Sequence, residues 1–225
     1  MPTHLEREIE RLKRKTLSLS ALVEDSVRRS VRALADRDAA AARHVIEVDD
    51  RETNDMEVDI EEDCLKILAL HQPVAIDLRF IVSVLKINAD LERVADLAVN
   101  IAERAVFLSE QDPLDLPIHF GVMAEKAQAM LKKALDSLVN MDADLAREVC
   151  AADDEVDDIN RQMYAKIQAA ILERPSRVDG LMHLLAVSRH LERIADHATN
   201  IAEDVVYMVD GEIVRHRSTD FKSQI

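Results

Sequence analysis

Two short stretches of the chain carry carboxylates at a spacing that suits the binding of a cation. Residues 91–103 read LERVADLAVNIAE, and residues 191–203 read LERIADHATNIAE. On a helix, side chains four residues apart stand on the same face, one turn from each other. Glu92 therefore lies beside Asp96, and Glu192 beside Asp196, and each pair repels at some cost in free energy. A bound cation would remove that repulsion, so both stretches are candidate metal sites.

The helix that precedes each stretch supplies further oxygen ligands. Consecutive helices of a bundle pack side by side, so two helices of each half can contribute to one site. The spacing D-x-x-x-N occurs before the first stretch, and D-x-x-x-D occurs before the second. The predicted ligands are Asp50, Asn54, Glu92, Asp96 and Asn100 in the first half, and Asp153, Asp157, Glu192, Asp196 and Asn200 in the second.

The type of ligand restricts the metal. Carboxylate and amide oxygens without cysteine suit Mg²⁺, Mn²⁺, Fe or Ca²⁺ better than structural Zn²⁺. Asn54 replaces the carboxylate of Asp157, so we expect the first site to be less negative than the second. His197 is interpreted as a surface histidine. The remaining acids of the second helix are interpreted as a solvated face; they are Glu57, Glu61, Glu62 and Asp63.

The composition favours helices. Of 225 residues, 48% are hydrophobic, and the chain has only three glycines and five prolines. Apolar residues recur at helical spacing in three long segments of each half. We predict an all-α fold of two tandem, pseudo-repeated, antiparallel three-helix bundles, with six long helices. The predicted divisions are a first bundle at 1–111, a linker at 112–118, a second bundle at 119–211 and a polar tail at 212–225.

The charge and the cysteines limit the partners and the location. A formal charge of −15 argues against binding to nucleic acid or to anionic lipid. We expect no insertion into a membrane, because no uncharged run is long enough to span one. Cys64 and Cys150 are isolated, which is typical of reduced thiols in the cytoplasm. The glycines are too scattered for a phosphate-binding loop, and we expect no enzymatic activity.

Several segments together resemble the PhoU family of bacterial accessory proteins for phosphate-specific transport. They are the two E-x-x-x-D signatures, VIEVDDRETNDMEV at 45–58, QPVAIDLR at 72–79 and the residues from Gly211 to His216. The resemblance covers about residues 5–217. It implies two three-helix bundles that carry multinuclear metal clusters, often iron or zinc, on their acidic faces. It also implies a homodimer that negatively regulates the phosphate-starvation response, between the ATPase subunit of a phosphate ABC transporter and a sensor histidine kinase.

Two other functions stay open at this point. A di-iron carboxylate enzyme on a helical bundle uses Glu-x-x-His pairs, but no histidine of the chain has a glutamate three positions before it. A structural helical scaffold would need no metal, and its acidic stripes would be solvated surface. Metal analysis distinguishes the scaffold from the metal-bound regulator.

Overall fold

The computed structural model describes residues 4–113 and 120–214, and within them it is helical and contains no strand. This confirms the all-α prediction. The helices are α1 (His4–Asp36), α2 (Ala39–His44), α3 (Asp50–His71), α4 (Ala75–Ser109), α5 (Phe120–Asn140), α6 (Ala143–Glu173) and α7 (Val178–Asp210). A π-helical turn, Val45–Asp49, lies between α2 and α3, and a 3₁₀ turn, Pro175–Arg177, precedes α7.

Matching turns join the first two helices of each half. Arg37 and Met141 adopt left-handed backbone angles, with φ of 57° and 52°. An aspartate follows each of them and caps the next helix. Asp38 and Asp142 each accept two backbone N–H bonds of 3.0 Å from the first turn of that helix. These caps satisfy amides that a helix start leaves without a partner.

The predicted second helix contains an irregularity that the sequence does not reveal. α2, the π turn and α3 follow one another without a break, because the residues at both junctions, Val45 and Asp50, keep right-handed helical angles. The π turn widens the helix over five residues, 45–49. Such turns are rare and often occur at functional sites. The corresponding helix of the second half, α6, runs from Ala143 to Glu173 as an α-helix.

The two bundles pack against each other through their third helices. α4 and α7 are antiparallel, since Lys86 near the start of α4 bonds to Asp204 near the end of α7. At the opposite ends, Phe107 stacks on His183 with ring centroids 3.7 Å apart. The apolar stripes of both signature stretches are buried, and one hydrophobic core extends through both halves. α4 and α7 therefore form the centre of the molecule, with the acidic faces on their outer sides.

The ends of the predicted segments are only partly described. Gly211 ends α7 with a φ of 80°, and its N–H bonds to the carbonyl of Tyr207 at 3.0 Å. This is the left-handed C-terminal cap that glycine favours. Most of the predicted linker, from residue 114 onward, and the tail beyond residue 214 lie outside the described residues. Among the residues described, no helix is long and apolar enough to cross a membrane.

Candidate functional site

The first acidic face is formed where α3 packs on α4. We define it by four carboxylates, those of Asp50, Glu57, Glu92 and Asp96. Burial raises the pKa of Glu92, and the charges of Asp96, Glu57 and Asp50 raise it further. Burial and the charge of Asp50 likewise raise the pKa of Asp96. Carboxylates from two helices therefore lie within electrostatic range of one another, as the sequence predicts for Asp50, Glu92 and Asp96.

The second acidic face is formed in the same way by α6 and α7. We define it by Asp153, Asp157, Glu192 and Asp196. Burial, followed by the charges of Asp196 and Asp157, raises the pKa of Asp153 to about 6. Burial raises the pKa of Glu192, and the charges of Asp196, Asp157 and Asp153 add to the effect. The side chains that the sequence pairs across these two helices are therefore within electrostatic range of one another.

Glu57 belongs to the first face and not to a solvated surface, so that interpretation is wrong. Burial raises the pKa of its carboxyl, and so does the charge of Glu61. The buried Asn88 of α4 donates to the backbone carbonyl of Glu57 at 2.9 Å and to its Oε1 at 3.3 Å. The sequence contained a signal for this, because Glu57 stands seven residues, about two turns, after Asp50.

The two faces have the same number of carboxylates in a different order. In the first, Asn54 is exposed on α3 and Glu57 follows three residues later. In the second, Asp157 is followed three residues later by Asn160, whose Oδ1 accepts from Ser188 at 2.8 Å. The amide comes first and the carboxylate three residues later in the first face, whereas the second face has the opposite order. The expectation that Asn54 makes the first site less negative stays a prediction, although the charge of Glu57 also acts on Glu92 in this face.

The side-chain amides of the remaining predicted ligands, Asn100 and Asn200, donate to groups other than the carboxylates of the acidic faces. The side-chain amide of Asn100 donates to the backbone carbonyl of Asp96 at 2.8 Å. Asn200 donates to Asp90 of α4 at 3.3 Å. His197 also contacts Asp90, with Nδ1 2.8 Å from Oδ1, and its side chain is only 12% exposed. His197 is therefore part of the contact between α4 and α7, and its interpretation as a surface histidine is wrong.

The chemistry of the donors fits a hard cation. In each face the charges of neighbouring carboxylates raise the pKa of others, namely Glu92 and Asp96 in the first face and Asp153, Glu192 and Asp196 in the second. A cation between the carboxylates would relieve that repulsion. Within residues 4–113 and 120–214, no three acidic, histidine or cysteine side chains are close enough to hold one ion as they stand. Chelation at either face would therefore require rotation of these side chains.

The chain is similar in sequence to proteins of one known family. A model of the PhoU domain matches residues 16–105 and again residues 120–205. A protein of Aquifex aeolicus, named phosphate-specific transport system accessory protein PhoU homolog, is 39% identical over 219 residues, or 97% of this chain and 98% of the relative. The chain belongs to the PhoU family. A homologue with the same name in Pseudomonas aeruginosa is 39% identical over 93% of this chain and 86% of its own length.

Solved PhoU structures share the fold. The crystal structure of PhoU from Pseudomonas aeruginosa aligns with a TM-score of 0.90 at 37% identity, covering 93% of this chain and all of that chain. The phosphate transport system regulatory protein PhoU from Streptococcus pneumoniae aligns with a TM-score of 0.82 at 29% identity, covering 94% of this chain and 99% of that one. The tandem three-helix bundles predicted from the sequence are therefore a PhoU architecture.

Proposed function

We propose that this protein is a metal-binding regulatory adaptor, without enzymatic activity, that negatively regulates the phosphate-starvation response. It modulates phosphate uptake in the cytoplasm by linking the ATPase subunit of a phosphate ABC transporter to a sensor histidine kinase, and it acts as a homodimer. The names of the relatives support the role in phosphate transport. The observation that carries the metal-binding part is the pair of matched acidic faces, in each of which the charges of neighbouring carboxylates from two helices raise the pKa of a glutamate.

The acidic faces suggest how metal and regulation are connected. Asp50, Glu57, Glu92 and Asp96 would hold metal on one face, and Asp153, Asp157, Glu192 and Asp196 on the other. Iron or zinc bound there, as multinuclear clusters, would supply positive charge and invert the local field. Without metal, four carboxylates repel anions from each face. With metal, a face would attract phosphate or the carboxylates of a partner, so metal content would control which partners bind.

Metal analysis of matched variants tests the first step. Protein washed with chelator is reconstituted with Fe²⁺, Zn²⁺ or Mn²⁺ and analysed by elemental mass spectrometry. The variant Glu92→Gln with Glu192→Gln removes one carboxylate from each face and is expected to lose most of the bound metal. The control Glu52→Gln with Glu173→Gln removes the same charge at exposed positions elsewhere. Unchanged metal in the first variant, measured against this control, would refute metal binding by these faces.

A pull-down tests the second step. The protein is captured from phosphate-replete cells, and the ATPase subunit of the transporter and the sensor kinase are measured by quantitative mass spectrometry. We expect both partners with the wild-type and the control protein, and several-fold less of them with the Glu92→Gln, Glu192→Gln variant. A structural scaffold with no role for metal would instead retain its partners in all three proteins.

A further inference from the structure

We propose that Arg29 and Asp49 form a clamp that positions Asp50 in the first acidic face. Arg29 lies on α1, and Asp49 is the last residue of the π turn, immediately before Asp50 at the start of α3. The clamp does not touch metal itself. It is a positioning device that rests on the proposed binding of metal by the first face.

Asp49 is buried and makes several short polar contacts. Its side chain is only 4% exposed, and Nη1 of Arg29 lies 2.6 Å from both of its carboxylate oxygens. Ser26, also on α1, donates to the same carboxylate at 3.2 Å, and Nε2 of His44 lies 3.4 Å from it. The two bonds from Arg29 are short and charge-assisted, and such bonds are stronger than those between neutral groups. They tie the π turn to α1 from one side.

The clamp affects Asp50 because the two aspartates are neighbours in a helix. Successive side chains of a helix point about 100° apart. When Asp49 is held against α1, the side chain of its neighbour Asp50 points about 100° away from α1. In that position the charge of Asp50 acts on Glu92 and Asp96 of α4. A π turn closes its backbone hydrogen bonds over one residue more than an α-helix does, as the bond from the N–H of Asp50 to the carbonyl of Val45 shows, and such turns are rare. Without the clamp, the turn could rewind and rotate Asp50 away from its partners.

The second half has no such device, which makes the inference specific to one face. Ala152 occupies the position before Asp153 and has no group that could bind an arginine. Asp153 lies within the uninterrupted α6, and Thr199 of α7 donates to it at 3.4 Å. Asp153 is thus positioned by a regular helix, whereas Asp50 depends on a turn that needs support from α1. The second face therefore serves as an internal control within the same molecule.

The test measures metal affinity one face at a time. One background, Glu192→Gln with Asp196→Asn, leaves only the first face intact, and the other, Glu92→Gln with Asp96→Asn, leaves only the second. Arg29→Met and Arg29→Lys are introduced into both backgrounds. Dissociation constants for Zn²⁺, Mn²⁺ and Fe²⁺, each added alone, are measured by equilibrium dialysis. Loss of an outer positioning contact usually weakens metal binding by about 10- to 100-fold.

We expect Arg29→Met to weaken binding at the first face at least tenfold and to leave the second face unchanged. Arg29→Lys keeps a cation near Asp49 and should restore most of the affinity. Hydrogen exchange of residues 45–50 in metal-free protein should be faster with Arg29→Met than with Arg29→Lys. That readout reports the freedom of the π turn without any metal.

Three results would overturn the inference. Unchanged affinity at the first face would show that Asp50 needs no clamp. An equal loss at both faces would show a general loss of stability in place of positioning. If the unmodified protein bound none of the three metals, the proposed metal function would fail and the clamp with it. The first two results leave the metal function intact, so the two failures are distinguishable.

Discussion

The acidic residues of each face place like charges near one another, which reduces stability when no cation is bound. Four like charges lie close together, and burial raises the pKa of Glu92 and Asp153 before the neighbouring charges add to the effect. In the absence of a cation this repulsion opposes folding. Residues selected for a binding function commonly reduce stability in this way. A substitution that neutralises one of these charges should therefore raise the free energy of unfolding of the metal-free protein if the face serves binding, and lower it if the charge serves the structure.

Glu57→Gln should have opposite effects on stability and on metal binding. The amide retains the size of the side chain and can still accept the bond from Asn88. Removing one of four charges should stabilise the metal-free protein by about 0.5 kcal/mol and should weaken metal binding at the first face several-fold. Thermal unfolding of the metal-free protein and metal titration measure the two effects. Glu52→Gln, at an exposed position of the same helix, should change neither; a less stable metal-free Glu57→Gln protein would contradict the argument.

The two thiols should react only when the protein unfolds. Burial, and then nearby carboxylates, raise the pKa of both Cys64 and Cys150 from 9.0 to about 12. Since the thiolate is the reactive form, iodoacetamide near neutral pH should label the folded protein slowly and the denatured protein rapidly. As the pH rises, a thiol ionises in the unfolded protein before it does in the folded protein. The stability that the protonated thiols contribute is therefore present below pH 9.0 and is lost as the pH rises towards 12. Rapid labelling of the native protein, followed by intact mass, would contradict the buried positions.

At the residue scale, the sequence predicts what one helix determines and misses what depends on packing. The pairs Glu92–Asp96 and Glu192–Asp196 follow from helical spacing alone. Asn54 differs from the residue at the corresponding position of the second half, so the repeat indicates it. Glu57 is one of several acids of α3, and its contact with Asn88 of α4 distinguishes it from the others. The bond between His197 and Asp90 joins residues 107 apart in the sequence. No local pattern indicates such a contact.

At the element scale, helix ends were predictable because specific residues determine them. Asp38 and Asp142 cap their helices, and Gly211 ends α7. The π turn was not predictable, because residues 45–49 include neither glycine nor proline and continue the apolar pattern through Val45 and Ile46. A single extra residue in a turn changes the direction of the side chains that follow, yet it barely changes a hydrophobic period. The π turn becomes evident only from the backbone conformation of residues 45–49 and from the contacts of Asp49.

Two glycine substitutions should have opposite effects on helix stability. Gly211→Ala places a side chain at a φ of 80° and brings its Cβ into a clash with Nη1 of Arg79. We expect it to destabilise the protein by about 1 kcal/mol, chiefly because left-handed angles are unfavourable for alanine. Gly121→Ala lies within α5, where a Cβ meets nothing within 4 Å, and should stabilise by about 0.5–1 kcal/mol. Chemical denaturation of both variants measures the difference, and equal effects would contradict the assignment of Gly211 as a strained cap.

At the scale of the whole molecule, the two bundles depend on each other. One side of α4 is fully buried, since Val94, Ala95, Leu97 and Ala98 are all at most 3% exposed. The apolar side of an amphipathic helix packs against its neighbours, and the alanines of α4 allow α7 to approach closely. The sequence predicts two tandem bundles from the repeat, and the structure adds that the core extends across both halves. The family model matches each half separately, whereas the packing joins them.

Lys86→Met should therefore destabilise both halves together. Nζ of Lys86 on α4 bonds at 3.1 Å to Asp204 on α7, whose side chain is only 2% exposed, and lies 5.1 Å from the ring centroid of Tyr207. Removing this cation weakens the support of a buried carboxylate, so we expect a loss of about 2 kcal/mol. Because the halves share a core, unfolding should remain one transition.

Hydrogen exchange gives the decisive measurement for this coupling. Slowly exchanging amides of α1 in the first half and of α6 in the second should lose protection by the same factor in Lys86→Met, since both open only with the shared core. The control Lys132→Met removes an ion pair to Asp136 in which both side chains are exposed, and it should change protection little. Loss of protection in one half alone, or a second unfolding transition, would show that the bundles fold independently. The contact between α4 and α7 would then be a docking surface between two units and not the interior of one.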